Sequence, residues 1–440
     1  MAKKTGAERK TTRVSRAKKS KKQGTIEAEV LISGGGMVGL SLGIALAGAG
    51  AEVAVVDRAD PEALMAAPHD GRSSAIARGS QQVLAGIGVW AGLEDQAEPI
   101  LDIRVSDGRV GRAASSLFLH YDHCDQTGGE AAGPLGYIVE NRAIRGALHA
   151  RAAKLERLRL IAPASIEALE RGAEGVEAVL GDGRRLRARL AVSAEGKDSP
   201  LRQAAGIRVT RWDYPQCGIV CTVGHEKPHH GVAHEHFLPS GPFALLPMTD
   251  GADGGHRSSL VWTERRVLVP AMMALSPAGF ARELMRRYGD GLGALRQVGG
   301  RWSYPLGLMH AERYVDRRLA LIGDAAHVIH PISGQGLNLG LRDVAALAEA
   351  LMDARRLGRD LGSAQVLARY QRWRRFDNSL LMVVTDGLNR LFSNDLAPLR
   401  LARDLGLAAV DRLPPLKRVF MRHAMGLVGD LPRLTRGQAL

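Results

Sequence analysis

The feature that most narrows what this chain can fold into is a glycine turn set between two apolar strands. Ala28 to Ser33 reads as a short buried strand, and Gly34-x-Gly36-x-x-Gly39 follows it directly. An apolar helix then runs to about Ala49, and a second strand, Glu52 to Val56, ends in Asp57. This is the order of a dinucleotide-binding βαβ unit. The first glycine permits the tight turn, the second lets backbone approach a pyrophosphate, and the third lets helix and strand pack closely. The helix start offers unpaired N–H groups, so Gly34, Gly36, Met37, Val38 and Gly39 are the expected phosphate contacts. Asp57 is expected to accept hydrogen bonds from an adenosine ribose, with Arg58 beside it.

The same stretch has a competing reading. Residues 30 to 51 are 22 consecutive uncharged positions behind a basic segment, which imitates a signal peptide or a spanning helix. Seven of them are glycine, too many for a stable spanning helix, so both are rejected.

A chain of 440 residues has room for two or three domains. The net charge of +14 points first to nucleic acid, but residues 1 to 22 carry ten Lys or Arg against one acid, Glu8, and the body is only mildly basic. Such a tail is expected to be disordered; it is either a solubilising extension or a binder of anionic lipid or nucleic acid. Three cysteines without a C-x-x-C pair support neither a disulfide framework nor a cysteine-rich zinc module, and a reducing, cytoplasmic setting fits them.

Further along, residues 156 to 192 alternate apolar and charged positions between glycine turns, as half-exposed strands do. Residues 206 to 304 continue the pattern as a second, sheet-containing domain. A strongly apolar strand, Arg318 to Ile322, meets Gly323-Asp324. A second glycine loop, Gly334-Gln335-Gly336, opens a helix with apolar positions 337, 341, 344, 348 and 351. The last eighty residues read as helical.

The stretch LALIGDAAHVIHPISGQGLNLGLRD, residues 319 to 343, resembles the flavin-dependent aromatic hydroxylases of the para-hydroxybenzoate hydroxylase superfamily, and in particular their ubiquinone-biosynthesis branch. His330, Pro331, Gly334, Gln335, Gly336, Asn338, Gly340 and Asp343 match that branch's pattern, with Ser333 in place of the usual Ala or Gly. DGRSSAI (70 to 76), YIVENRAIRGAL (137 to 148) and HEHFLPSGPFALLPM (234 to 248) extend the resemblance over most of residues 28 to 390.

The resemblance implies FAD as the tightly bound cofactor, with Gly323 and Asp324 at its ribityl chain and Gly334, Gly336, Leu337 and Asn338 beside the flavin ring. Pro331, Gly334, Gln335 and Gly336 form the ring neighbourhood, and no acid or base is assigned. Arg72 and Arg142 are expected near the FAD phosphates or ribose. Ala194-Glu195-Gly196-Lys197-Asp198-Ser199 stands where the family has Ala-Asp-Gly-x-x-Ser, so Gly196 and Arg202 are better candidates there than the longer Glu195. The implied fold is a discontinuous three-layer FAD-binding Rossmann-like α/β domain with an inserted, mostly β substrate domain and a helical C-terminal region. Its expected division is a basic tail (1–25), FAD-binding segments (26–105, 137–205 and 305–390), substrate-domain segments (106–136 and 206–304) and a C-terminal helical region (391–440).

The implied activity is hydroxylation of a prenylated phenol with NADH or NADPH and O2. Three alternatives stay open: a flavin dehydrogenase, reductase or hydroxylase of another aromatic compound; a non-catalytic FAD-bound member of a quinone-synthesis assembly; and a nucleic-acid binder driven by the tail. A basic, apolar C-terminal part (405–440) is read either as a packed helix or as a peripheral contact with anionic membrane on its inner face. Five histidines between 225 and 236 lack the companions of a metal site, and none is assigned.

Overall fold

The computed structural model describes residues 24–66, 71–111, 118–126 and 133–393, positions 403 and 406, and 410–440. The expectation of a disordered tail lies outside these residues.

The central sheet has six strands in the order 315–316, 319–321, 190–193, 30–33, 53–56, 158–161. All pairs are parallel except the first, which is a short antiparallel edge. Val30–Ser33, Val53–Val56 and Leu190–Ser193 are buried at every position, as strands covered on both faces must be. Helix α1 (Met37–Gly48) follows the first strand and lies close to its neighbour because Gly43 has no side chain: a Cβ there would stand 2.9 Å from Val55 Cγ2. Helices α2 (Asn141–Ala152) and α3 (Gln335–Arg356) complete the helical layer. A four-stranded sheet (26–27, 185–188, 176–180, 166–171) joins the same core, with its alternating apolar residues inward.

The observed strands and helices start or stop within one or two residues of the expected ones in the first βαβ unit. The expected strand Arg318 to Ile322 is only Leu319–Leu321, because Arg318 adopts a left-handed backbone (φ 51°) and turns its guanidinium to Ala173 O, Arg189 O and Asp360.

The second region is an eight-stranded sheet in the order 327–328, 295–311, 209–225, 257–265, 241–248, 232–238, 102–107, 118–122. Two of its strands cross the expected divisions. Asp102–Asp107 pairs in parallel with Val232–Leu238, and Leu295–Ala311 pairs along Val209–His225, so hydrogen bonding carries both across the divisions at 105 and 304. Strand 327–328 also pairs with 309–310, which joins this sheet to the segment after Gly323. Two helices follow α3: α4 (Ala364–Phe392) and, near the C-terminus, α5 (Pro414–Ala424). Among the described residues no helix is long and apolar enough to cross a membrane.

Candidate cofactor and active site

At the first glycine turn, Gly34 has φ +104°, and a Cβ on it would stand 2.4 Å from Ala194 O. Gly39 is tighter still: its Cβ would meet Gly34 O at 1.9 Å. Gly36 differs, since a Cβ there would face open space. Gly36 caps α1 without a side-chain hydrogen bond, so the N–H groups of Met37, Val38 and Gly39 remain available at the positive end of the helix. Asp57 accepts from Gly35 N–H and, at 2.7 Å, from Ala59 N–H. It is only half-buried, and a carboxylate that accepts two hydrogen bonds has lone pairs left for more.

The second and third glycine sites come to the same place. Val38 stands between Gly323 and Gly340: a Cβ on Gly323 would lie 3.3 Å from Val38 Cγ1, and one on Gly340 2.5 Å from Val38 Cγ2. Gly334 takes φ +62° at the start of α3, again with no side-chain cap, and a Cβ on Gly336 would meet nothing within 4 Å. The geometry therefore offers two uncapped helix starts, each with a bare glycine facing space. A dinucleotide whose pyrophosphate needs close backbone approach fits the first, and a ring that takes up negative charge on reduction fits the second.

The remaining expected contacts divide into two groups. Arg72 reaches over the Tyr304 ring (5.4 Å to its centroid), and its carbonyl accepts Asn141 N–H at 3.1 Å, which brings the start of α2 and Arg142 alongside. Arg58 and Arg142 are exposed. Asp324 is exposed to the cavity that it lines, and desolvation by the surrounding protein raises its carboxyl above the usual range. Pro331, Gly334, Gln335, Gly336 and Leu337 line that cavity.

Asn338 lines the cavity too, and its side-chain amide donates to Ala75 O (2.9 Å) and Gly334 O (3.1 Å) and accepts Ala77 N–H (2.9 Å). It staples the glycine loop to strand Ser73–Ala77. Arg202 is also turned inward, onto Ala325 O and Lys197 O. Glu195 accepts from Ser33 Oγ, Ser193 Oγ, Ser199 Oγ and Leu201 N–H, a four-way clamp that its extra methylene reaches.

Beneath the turn sits a charged cluster that sequence reasoning missed. Asp343 Oδ2 accepts from Gly323 N–H (3.0 Å) and His327 Nε2 (2.6 Å), and Oδ1 accepts from Arg374 Nε (2.9 Å). Burial alone would raise the Asp343 carboxyl, but His327 and Arg374 outweigh it and hold it at about 2. Asp343 was visible in the motif; Arg374 and Asn378 on α4 carried no local signal.

The cavity beside Pro331 and Gly336 has a volume of about 880 Å³. Its walls are largely apolar and come from the large sheet, α4 and α5, with Val220, Phe237, Val261, Leu388 and Met421 among them. Tyr121, His234 and Glu235 add polar groups. Burial pushes the Tyr121 hydroxyl up and His234 down to about 3, so both are neutral near pH 7. Three of the other four histidines of that segment are engaged as structural groups, His225 with Lys227 O and Ser258 Oγ, His229 with Met248 O, and His236 with Ser106 Oγ, while His230 is exposed. Cys217 and Cys221 are buried in the sheet core, where burial raises the Cys221 thiol to about 12.

A family model described as an FAD binding domain matches residues 27–377. The chain belongs to this FAD-binding family. Ubiquinone hydroxylase UbiL of Rhodospirillum rubrum is 55% identical over 416 residues, covering 94% of each chain. The 3-demethoxyubiquinol 3-hydroxylase of Escherichia coli is 36% identical over 91% of this chain and 98% of its own. Human ubiquinone biosynthesis monooxygenase COQ6 is 31% identical over 90% and 92%. Among solved structures, p-nitrophenol 4-monooxygenase PnpA of Pseudomonas putida superposes with a TM-score of 0.74 at 20% identity, covering 92% of this chain and 99% of that one, and so shares the fold. The protein is accordingly an FAD-dependent monooxygenase built on the three-layer α/β fold.

Proposed function

We propose that this protein adds one oxygen atom to the aromatic ring of a polyprenylated phenol in ubiquinone biosynthesis, with FAD bound, NADH or NADPH as reductant and O2 as co-substrate. One observation carries the reading: the uncapped glycine loop at Gly334–Gly336 opens into a large cavity whose walls are mostly apolar. A ring with a long hydrocarbon tail suits such a space. The names of the relatives point to the same substrate class.

Bound FAD would supply the two-electron chemistry and the activation of dioxygen. The chain's residues do the rest. The first-turn N–H groups of α1, at Met37, Val38 and Gly39, hold the pyrophosphate, and Asp57 holds the adenosine ribose. Arg58, Arg72 and Arg142 add positive charge on the phosphate side. Gly323 and Asp324 meet the ribityl chain. Gln335, Gly336 and Leu337 present backbone N–H groups towards the ring, and Asn338 fixes their loop. Val220, Phe237 and Val261 keep water out, which matters because water in the site diverts reducing equivalents to hydrogen peroxide. Neutral Tyr121 and His234 offer uncharged hydrogen bonds to a phenol.

The protein acts as a peripheral one at the inner face of a membrane, in a reducing compartment, alongside other quinone-biosynthesis proteins; its three unpaired cysteines agree with that setting. The test is turnover of a short-tailed prenylphenol under ¹⁸O₂. The reading expects one labelled oxygen in the product. Oxidised substrate without label would instead point to a dehydrogenase.

A further inference from the structure

Helix α4 has an outer face unlike that of an ordinary surface helix. From 371 to 391 the exposed positions are Arg372, Arg375, Phe376, Leu380, Val383, Val384, Gly387, Arg390 and Leu391: three arginines, a glycine and five large apolar residues. Phe376 and Val383 are 76% and 71% exposed. At about 100° per residue the apolar five fall on one strip and the arginines along a single edge of it. Asp377 pairs with Arg374, while Asp386 accepts from Tyr214 and pairs with Arg390 at 2.9 Å, so Arg372 and Arg375 carry the basic edge of the strip. A water-facing helix is expected to be polar here, so the strip calls for a partner.

Helix α5 and its flanks repeat the composition. Leu413, Val419 and Phe420 are exposed at 52%, 57% and 45%, with exposed Arg418 and Arg422 between and after them. The two helices border one cavity. Val384 and Leu391 of α4 and Phe420 of α5 are exposed, and they also line the 880 Å³ cavity. The apolar strips therefore surround the mouth of the site.

We propose that this face, Phe376 to Leu391 of α4 with Leu413 to Phe420, docks onto an anionic lipid bilayer and opens the cavity mouth to it. Apolar side chains enter the acyl boundary, and the arginine edge meets the headgroup phosphates. A second copy packed antiparallel would set like-charged arginine edges against each other, whereas an anionic bilayer meets both the apolar strip and its basic edge. Delivery of a tailed substrate through this mouth rests on the proposed hydroxylase function; docking itself does not.

The FAD-loaded full chain is sedimented with phosphatidylcholine vesicles and with mixed phosphatidylcholine–phosphatidylglycerol vesicles. The wild type is expected to bind the anionic vesicles, and Phe376→Ser with Val383→Ser to weaken binding by about tenfold or more, since both side chains lose their apolar burial. The basic residues 1–22 are the same in both proteins, so the difference reports the face. Arg372→Gln with Arg375→Gln should weaken binding to anionic vesicles only. Turnover of a short-tailed soluble phenol should be unchanged in the Phe376/Val383 variant, while turnover of a long-tailed phenol in vesicles falls. Equal sedimentation of wild type and double variant overturns docking, as does a wild-type dimer that the same substitutions dissociate. Loss of all hydroxylation in the wild type, with vesicle binding intact, overturns the hydroxylase reading and leaves docking standing.

Discussion

Val38, in the first turn of α1, fills the space that a side chain on Gly340 would need: a Cβ there would stand 2.5 Å from Val38 Cγ2. This contact joins the first glycine motif to the last across most of the chain. Gly340→Ala is expected to push the two helices apart and cost about 1–3 kcal/mol of stability. Urea unfolding of the apoprotein checks it, and FAD affinity should fall with it.

Gly36 and Gly39 separate cofactor binding from folding. Space is open at Gly36, and its φ of −66° suits any residue, so Gly36→Val should leave apoprotein melting nearly unchanged while weakening FAD binding by about tenfold or more. Gly39→Val collides with Gly34 O and should lower the melting temperature itself. Calorimetry of both apoproteins and flavin fluorescence titration distinguish the two effects.

Both glycine loops and Asp57 were legible in the sequence because they are local: turn geometry, helix start and carboxylate lie within one short segment. The alternating middle strands were equally legible, since half-buried strands write their pattern into successive residues. What the sequence hid is non-local. Nothing near Arg374 says that its guanidinium meets Asp343, and the spacing of Asn338 gives no sign that its amide is used on Ala75 and Ala77. The outer strip of α4 lies in a stretch that the sequence marks only as helical, and only packing tells which side is covered.

The Asp343 cluster sets an acid limit. Its carboxyl is held at about 2 in the folded protein, below its unfolded value near 4, so its stabilising share is present above about pH 4 and is lost as pH falls towards 2. Arg374→Met leaves the Asp343 charge buried with one partner fewer and should cost about 3–5 kcal/mol. Unfolding free energies of wild type and Asp343→Asn between pH 4 and pH 2 should show a shallower slope in the variant.

Histidines act at milder pH. Burial holds His236, His310 and His330 down to about 4, so they stay neutral when folded and gain protons more readily when unfolded. Their contribution is complete above about pH 6.5 and declines towards pH 4, by up to about 1.4 kcal/mol per histidine per pH unit. Melting temperature should drop from pH 7 to pH 5, and His330→Asn should reduce that drop.

Dryness of the cavity governs how efficiently reductant is used. Val261→Ser puts a hydroxyl into the apolar wall and should raise the ratio of hydrogen peroxide to hydroxylated product by roughly threefold or more, with FAD affinity unchanged. Peroxide and product assayed in the same reaction give the ratio.

The central claim is that the two glycine loops, whose helices pack together at Val38 and Gly340, hold one flavin. Titration of the purified chain with FAD, followed by visible absorbance and fluorescence, should give a yellow protein with one FAD per chain, and the Gly36→Val protein, folded as before, should bind it far more weakly. A colourless chain that takes up no FAD in excess, or a Gly36→Val protein that binds as tightly as the wild type, would contradict it.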